Sequence, residues 1–164
     1  MSPRPKTAGG SSILPQRGYN RRMLEMVVLC VATTGLLPAA FERSPIAFVS
    51  DGDAAALIAD GATVLDARSR GYLWAHLPRA QPIDWMDFRD GWGRTGRLPG
   101  DVAGLSRRLE ALGVDGGRSV LVYGDAEKGF GEEGRIAWML AYLGHPRVAI
   151  LDGGFAAWQR TGHA

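Results

Sequence analysis

Ser119-Val120-Leu121-Val122-Tyr123-Gly124-Asp125, then Ala126 to Gly134, then Arg135-Ile136-Ala137-Trp138-Met139-Leu140-Ala141-Tyr142-Leu143-Gly144-His145, and last Val148-Ala149-Ile150-Leu151-Asp152-Gly153-Gly154-Phe155-Ala156-Ala157-Trp158: this stretch decides the fold. A β-rich apolar run meets a Gly-rich loop, and the loop opens into an apolar helix. A second apolar strand then ends on Asp-Gly-Gly before another helix. Strand, loop, helix, strand and helix in this order predict a parallel sheet with crossover helices. Ligands of such sheets bind outside the carboxyl ends of the strands. The loop after Tyr123 is therefore where chemistry is expected.

Working upstream, Ile46 to Val49 reads as a first strand and Ser50-Asp51-Gly52-Asp53 as a helix N-cap close to a capping box. The helix continues over Ala54 to Ala59 and ends at Asp60-Gly61. Ala62 to Leu65 is apolar throughout, as expected of a strand buried between helix layers. Gln81 to Asp84 reads as a short third strand, and Trp85 to Leu98 as an irregular aromatic-rich insertion that self-packs or docks another domain. Gly100-Asp101 caps a helix whose Val102, Leu105, Leu109 and Leu112 share one face, with Arg107, Arg108 and Glu110 toward water. The helix from Arg135 to Leu143 is apolar nearly all round, which predicts burial, with Trp138 and Met139 in the core. Arg147 to Leu151 is the last strand, and Phe155 to Gln159 opens the last helix.

Several pieces of this pattern carry a resemblance. Val120-Leu121-Val122-Tyr123 with its loop and Arg135, Tyr142-Leu143-Gly144-His145, and Leu151-Asp152-Gly153-Gly154-Phe155-Ala156-Ala157-Trp158 resemble the rhodanese (sulfurtransferase) family. Val64-Leu65-Asp66-Ala67-Arg68 looks like its Leu-x-Asp-x-Arg strand end. Ala75-His76-Leu77-Pro78-Arg79-Ala80 looks like its Gly-His-Ile-Pro-Gly-Ala turn with two glycines replaced. The motifs stand in the family's order. The resemblance implies an α/β, rhodanese-like three-layer sandwich: a mainly parallel five-stranded sheet with helices on both faces, over residues 44–164. The long segment between the blocks and the longer loop after Tyr123 look like the non-catalytic N-terminal domain of a tandem sulfurtransferase. The chain also halts where such a protein passes into its second domain. The implied partners are a second rhodanese domain or a sulfur-carrier protein, and no cofactor is implied.

The family's nucleophile is a cysteine opening that loop. Here its place falls on Gly124, or on Asp125 with a one-residue shift, and the only cysteine, Cys30, lies far upstream. Sulfur transfer needs a thiolate, stabilised by backbone N–H groups and nearby cations. From Gly124 to Gly134 the loop instead carries Asp125, Glu127, Glu132 and Glu133 against Lys128. An acidic rim repels thiosulfate, cyanide and phosphate alike. Three readings of these acids stand: caps on a helix whose anion site is abandoned, a site for a cation or basic partner, or a metal-dependent hydrolase, which finds no histidine in the loop. The candidate ligand or partner loop comprises Asp66, Arg68, Gly124, Asp125, Glu127, Lys128 and Arg135. Asp66 and Arg68 either frame a ligand or pair with each other and cap backbone groups. His76 is either a base or a turn residue bonded to the backbone. Two functions follow: a domain without a nucleophile acting as scaffold or partner, or a thiosulfate or 3-mercaptopyruvate sulfurtransferase in its own right.

The net charge of +2 divides unevenly. Residues 1–43 hold six Lys/Arg and two acids, leaving thirteen against fifteen in the remainder. The basic pI comes from the leader, so the domain gives no nucleic-acid signal. One cysteine excludes an internal disulfide and a cysteine-based metal cluster. Residues 1–20 read as a disordered basic tail. Residues 21–40, with Arg21-Arg22 before an apolar run and Pro38-Ala39-Ala40 at its end, read as a secretory signal, loosely of the twin-arginine type. This predicts a periplasmic or extracytoplasmic location. One rival is an uncleaved membrane anchor, the only reading in which the domain meets a membrane, and Glu25 costs insertion there; another is a start codon assigned too far upstream, with the first residues untranslated.

Overall fold

The computed structural model describes residues 44–91 and 96–162, all within the second of two units into which the chain divides at Thr33 and Thr34. The tail, leader and Cys30, with everything expected of them, lie outside the described residues.

Ten elements follow the expected order. They are β1 (Ile46–Val49), α1 (Asp51–Ala59), β2 (Thr63–Asp66), β3 (Gln81–Pro82), a 3₁₀ turn (Trp85–Phe88), α2 (Val102–Ala111), β4 (Val120–Tyr123), α3 (Glu132–Tyr142), β5 (Val148–Leu151) and α4 (Gly154–Arg160). The strands form one sheet in the order β1-β5-β4-β2-β3, parallel at every pairing. β2, β4 and β5 are buried at every residue, as continuous apolar runs between two helical layers require. Alternate strand residues feed two cores. Leu65, Val120, Val122, Val148 and Ile150 pack with α2 and α3. Val64, Leu121, Tyr123, Ala149 and Leu151 pack with α1 and α4.

Local signals explain the element ends. Ser50 Oγ accepts from Asp53 N at 3.2 Å and donates to the Asp53 carboxylate at 2.7 Å, the expected cap of α1. Asp101 Oδ1 accepts from Gly104 N at 2.9 Å and starts α2. Gly144 ends α3 with φ +90°.

Four expectations need correction. β3 pairs over two residues only, because the chain turns into the 3₁₀ segment capped by Asp84. Val102 is 41% exposed, since it lies in the first turn of α2, beyond the edge of the core that Leu105 and Leu109 enter. α3 begins at Glu132, three residues before Arg135. Its apolar character does not bury it all round: Met139 is core, but Trp138 is 44% exposed and stacks on exposed Tyr142 with ring centroids 5.2 Å apart. Arg135 lies over the Trp138 ring at 4.4 Å, so the outward stripe of α3 is covered by its own side chains rather than by the sheet.

At the opposite end of the sheet from the loops, buried His145 donates from Nε2 to Asp115 O at 2.9 Å and accepts from Arg147 N at Nδ1. This fixes a neutral tautomer, and burial pushes the imidazole below its ordinary value. A lowered folded pKa means stability that is complete above about pH 6.5 and is lost as pH falls through the folded value. Melting temperature is therefore expected to drop from pH 7.5 to 5.5 by more in the parent than in His145→Gln, which has nothing to titrate at that position. Equal drops would remove His145 from the account.

Candidate functional site

Neighbouring strands β2 and β4 send their connections in opposite directions, β2 toward β3 and β4 toward β5. Such divergence leaves a crevice at the carboxyl ends. A cleft of about 1100 Å³ occupies that position, walled by residues 67–74 after β2, 82–87 around β3 and 130–132 at the start of α3, with Gly96 and Arg135.

Asp66 forms the floor beside it. Its carboxylate is fully buried and meets four donors. Arg68 N and Nε each donate to Oδ1 at 3.0 Å, and Arg68 Nη2 donates to Oδ2 at 2.6 Å. Tyr123 OH also donates to Oδ2 at 2.6 Å and accepts from Leu77 N at 3.2 Å. Arg68 Nη2 bonds Ala75 O as well, and the guanidinium stacks on Phe155 at 3.8 Å. Burial acts to lower the Arg68 pKa, but the hydrogen bond and charge of Asp66 together with Tyr123 outweigh it, and the net direction is up. Burial, then the bond to Asp66, pushes the Tyr123 phenol far above its ordinary value. Of the two readings of this pair, the structure supplies the geometry of mutual pairing and backbone capping.

The loop after β4 is built differently. Asp125 turns it: its Oδ1 accepts from Glu127 N and Lys128 N, and its carbonyl from Gly129 N at 2.8 Å. Glu127 and Lys128 are exposed. α3 starts at Gly131, in the left-handed region at φ +84°, without a side-chain cap. Glu132 reaches back to Phe130 N at 2.7 Å, so one of the expected capping acids bonds just ahead of the helix. Glu133 turns inward. A Cβ on Gly124 would fall on its carboxylate, 2.7 Å from Cδ, and its buried Oε2 has no hydrogen-bond partner. Gly124 is the residue packed at the loop's base: its carbonyl accepts from Phe155 N at 3.0 Å. A Cβ on Gly154 would collide with that carbonyl and approach Ala126 N at 3.2 Å.

The candidate residues thus separate. Asp66 and Arg68 form one buried unit, Gly124 faces Glu133, Asp125 holds its own turn, and Arg135 lines the cleft while donating to Gly96 O. His76 takes the turn role, with Nδ1 bonded to Tyr72 O at 2.9 Å and its ring stacked on Tyr72. Arg79, in place of a family glycine, keeps a left-handed φ of +62° and reaches Ile58 O. Sequence reasoning did not single out Leu73, Trp74 or Phe130, which line the cleft and are exposed, as is Met86 of the aromatic-rich insertion. No set of three or more metal-binding side chains occurs among the described residues, and none of their helices is long and apolar enough to cross a membrane.

A family model described as Rhodanese-like domain matches residues 50–161. Bovine thiosulfate sulfurtransferase is 32% identical over 92 residues, 56% of this chain and 31% of that protein. Mouse 3-mercaptopyruvate sulfurtransferase is 40% identical over 93 residues, 57% of this chain and 31% of that protein. The solved structure of SseA from Escherichia coli, described as a 3-mercaptopyruvate sulfotransferase, superposes with a TM-score of 0.59 at 30% identity, over 70% of this chain and 47% of that one. The chain therefore spans under half the length of these relatives.

Asp66→Ala is expected to cost about 3–5 kcal/mol in denaturant unfolding, because it strands a buried guanidinium and a phenol; a loss under about 1 kcal/mol would contradict the network. Gly154→Ala is expected to cost more than about 2 kcal/mol, since backbone rather than a movable side chain stands in the way and φ is +58°. Unchanged stability would place α4 farther from the loop.

Proposed function

The chain belongs to the rhodanese-like domain family, and from that premise we propose that it is a non-catalytic member, the scaffold or partner half of a sulfurtransferase. The observation that carries this reading is residue 124. Persulfide chemistry needs a thiolate where the loop leaves β4. That position is a glycine, the space beside it holds the Glu133 carboxylate, and the chain's one cysteine is Cys30 in the leader. The relatives' activities name the setting, sulfur transfer from thiosulfate or 3-mercaptopyruvate, in which such a half serves. The leader supports export, so we place the partnership in the periplasm or another extracytoplasmic compartment, with a second rhodanese domain or a sulfur carrier as the other half.

With thiosulfate or 3-mercaptopyruvate as donor and cyanide as acceptor, the purified full chain is expected to turn over no faster than its Cys30→Ser variant. Turnover above that control would make the chain an enzyme. Gly124→Cys is expected to remain at least ~100-fold below an active relative, because the new thiolate meets a carboxylate instead of oriented donors. Activity near that of a relative would show that the loop lost its nucleophile and nothing else.

A further inference from the structure

The space in front of Gly124 is filled from within the chain. A Cβ built on Gly124 would lie 2.7 Å from Glu133 Cδ and 3.3 Å from Glu133 Cβ, and its three nearest neighbours all belong to Glu133. Residue 124 therefore faces the first turn of α3, where Glu133 is the second residue. Gly124 is not one of the glycines held at positive φ, so its backbone is open to other residues and the Glu133 side chain alone stands in their way. That side chain sits there at a cost. Its Oε2 is buried and meets no donor, and such an atom calls for a reason.

Two opposed fields meet in that space. The first turn of a helix favours negative charge and stabilises a thiolate beside it. α3 is 11 residues long and has no side-chain cap. The Glu133 carboxylate brings its own negative charge to the same volume. Four other amides of the loop point elsewhere: Glu127 N and Lys128 N to Asp125 Oδ1, Gly129 N to Asp125 O, and Phe130 N to Glu132. We infer, on the reading of the chain as a non-catalytic half, that Glu133 is an internal lock, whose carboxylate takes the volume and the helix end that a thiolate at residue 124 would use. The loop is closed to sulfur chemistry twice, by the absent thiol and by Glu133. A thiol restored at 124 displaces the carboxylate but keeps its charge close by. Neutralising residue 133 leaves the helix end to act alone.

The test uses the full-length chain carrying Cys30→Ser, so that an introduced thiol is alone. The pH dependence of its alkylation by iodoacetamide is compared in Gly124→Cys, Gly124→Cys/Glu133→Gln and Gly124→Cys/Glu133→Ala. In Gly124→Cys the thiol is expected to titrate at or above the ordinary value of about 8.5. Both double variants are expected to titrate at least about one unit lower, with ~10-fold more thiolate at neutral pH. Glutamine keeps the size of the side chain and loses its charge. A shift with alanine alone would therefore overturn the lock, as would no shift in either. Denaturant unfolding gives a second readout that needs no thiol. Gly124→Ala is expected to lower the midpoint in the parent and to leave it unmoved in Glu133→Ala; an equal change in both would overturn the contact. Turnover by the parent ends the functional reading and leaves these readouts intact, whereas an unmoved thiol ends the lock and leaves that reading intact.

Discussion

A fully buried carboxylate organises this end of the molecule. Removing Asp66 from water is costly unless its lone pairs are met, and the donors that meet them come from the β2–β3 connection, which walls the cleft, and from the last residue of β4. Arg68 brings the start of the β2–β3 connection, and its second bond to Ala75 holds the far side of that connection. Tyr123 brings the end of β4 and takes Leu77 N in turn. The guanidinium lies on Phe155, at the start of α4. Three connections are thereby fixed against one another through a single charge. The cation at the base of the cleft is paired with Asp66 by this arrangement.

The loop after β4 shows the complementary case, a buried carboxyl oxygen that meets no donor. Glu133 Oε2 is buried without a donor, in the space that a side chain at residue 124 would claim. Gly124 and Glu133 are therefore one steric unit. Gly154 extends the dependence, because only a residue without Cβ lets α4 approach the Gly124 carbonyl closely enough for Phe155 N to bond it. A side chain at the loop's opening would therefore have to displace the Glu133 carboxylate, whereas one at Gly154 would meet backbone.

The sheet could be read from sequence because β2, β4 and β5 are unbroken apolar runs, and the caps because Ser50 and Asp101 carry side chains with one local task. Pairing of Asp66 with Arg68 was open to reading at a spacing of two, but the part of Tyr123 was not, since 57 residues separate it from Asp66. Trp138 departs from the burial that its apolar surroundings predict, because an aromatic stripe can cover itself by stacking. The exposed rim was hidden for the converse reason. Leu73, Trp74 and Phe130 sit in segments of mixed composition, and only the folded chain brings the β2 and β4 loops to one cleft. Inward Glu133 was likewise invisible, because first-turn acids ordinarily face the solvent and the helix dipole.

On the proposed reading this chain forms no persulfide of its own. Intact-mass measurement of the native, full-length chain after incubation with excess thiosulfate or 3-mercaptopyruvate, without reductant, tests it most directly. The mass is expected to be unchanged. A gain of one sulfur atom, localised to Cys30 by peptide mapping, would contradict it, because the chain would then carry a persulfide and act as an enzyme in its own right.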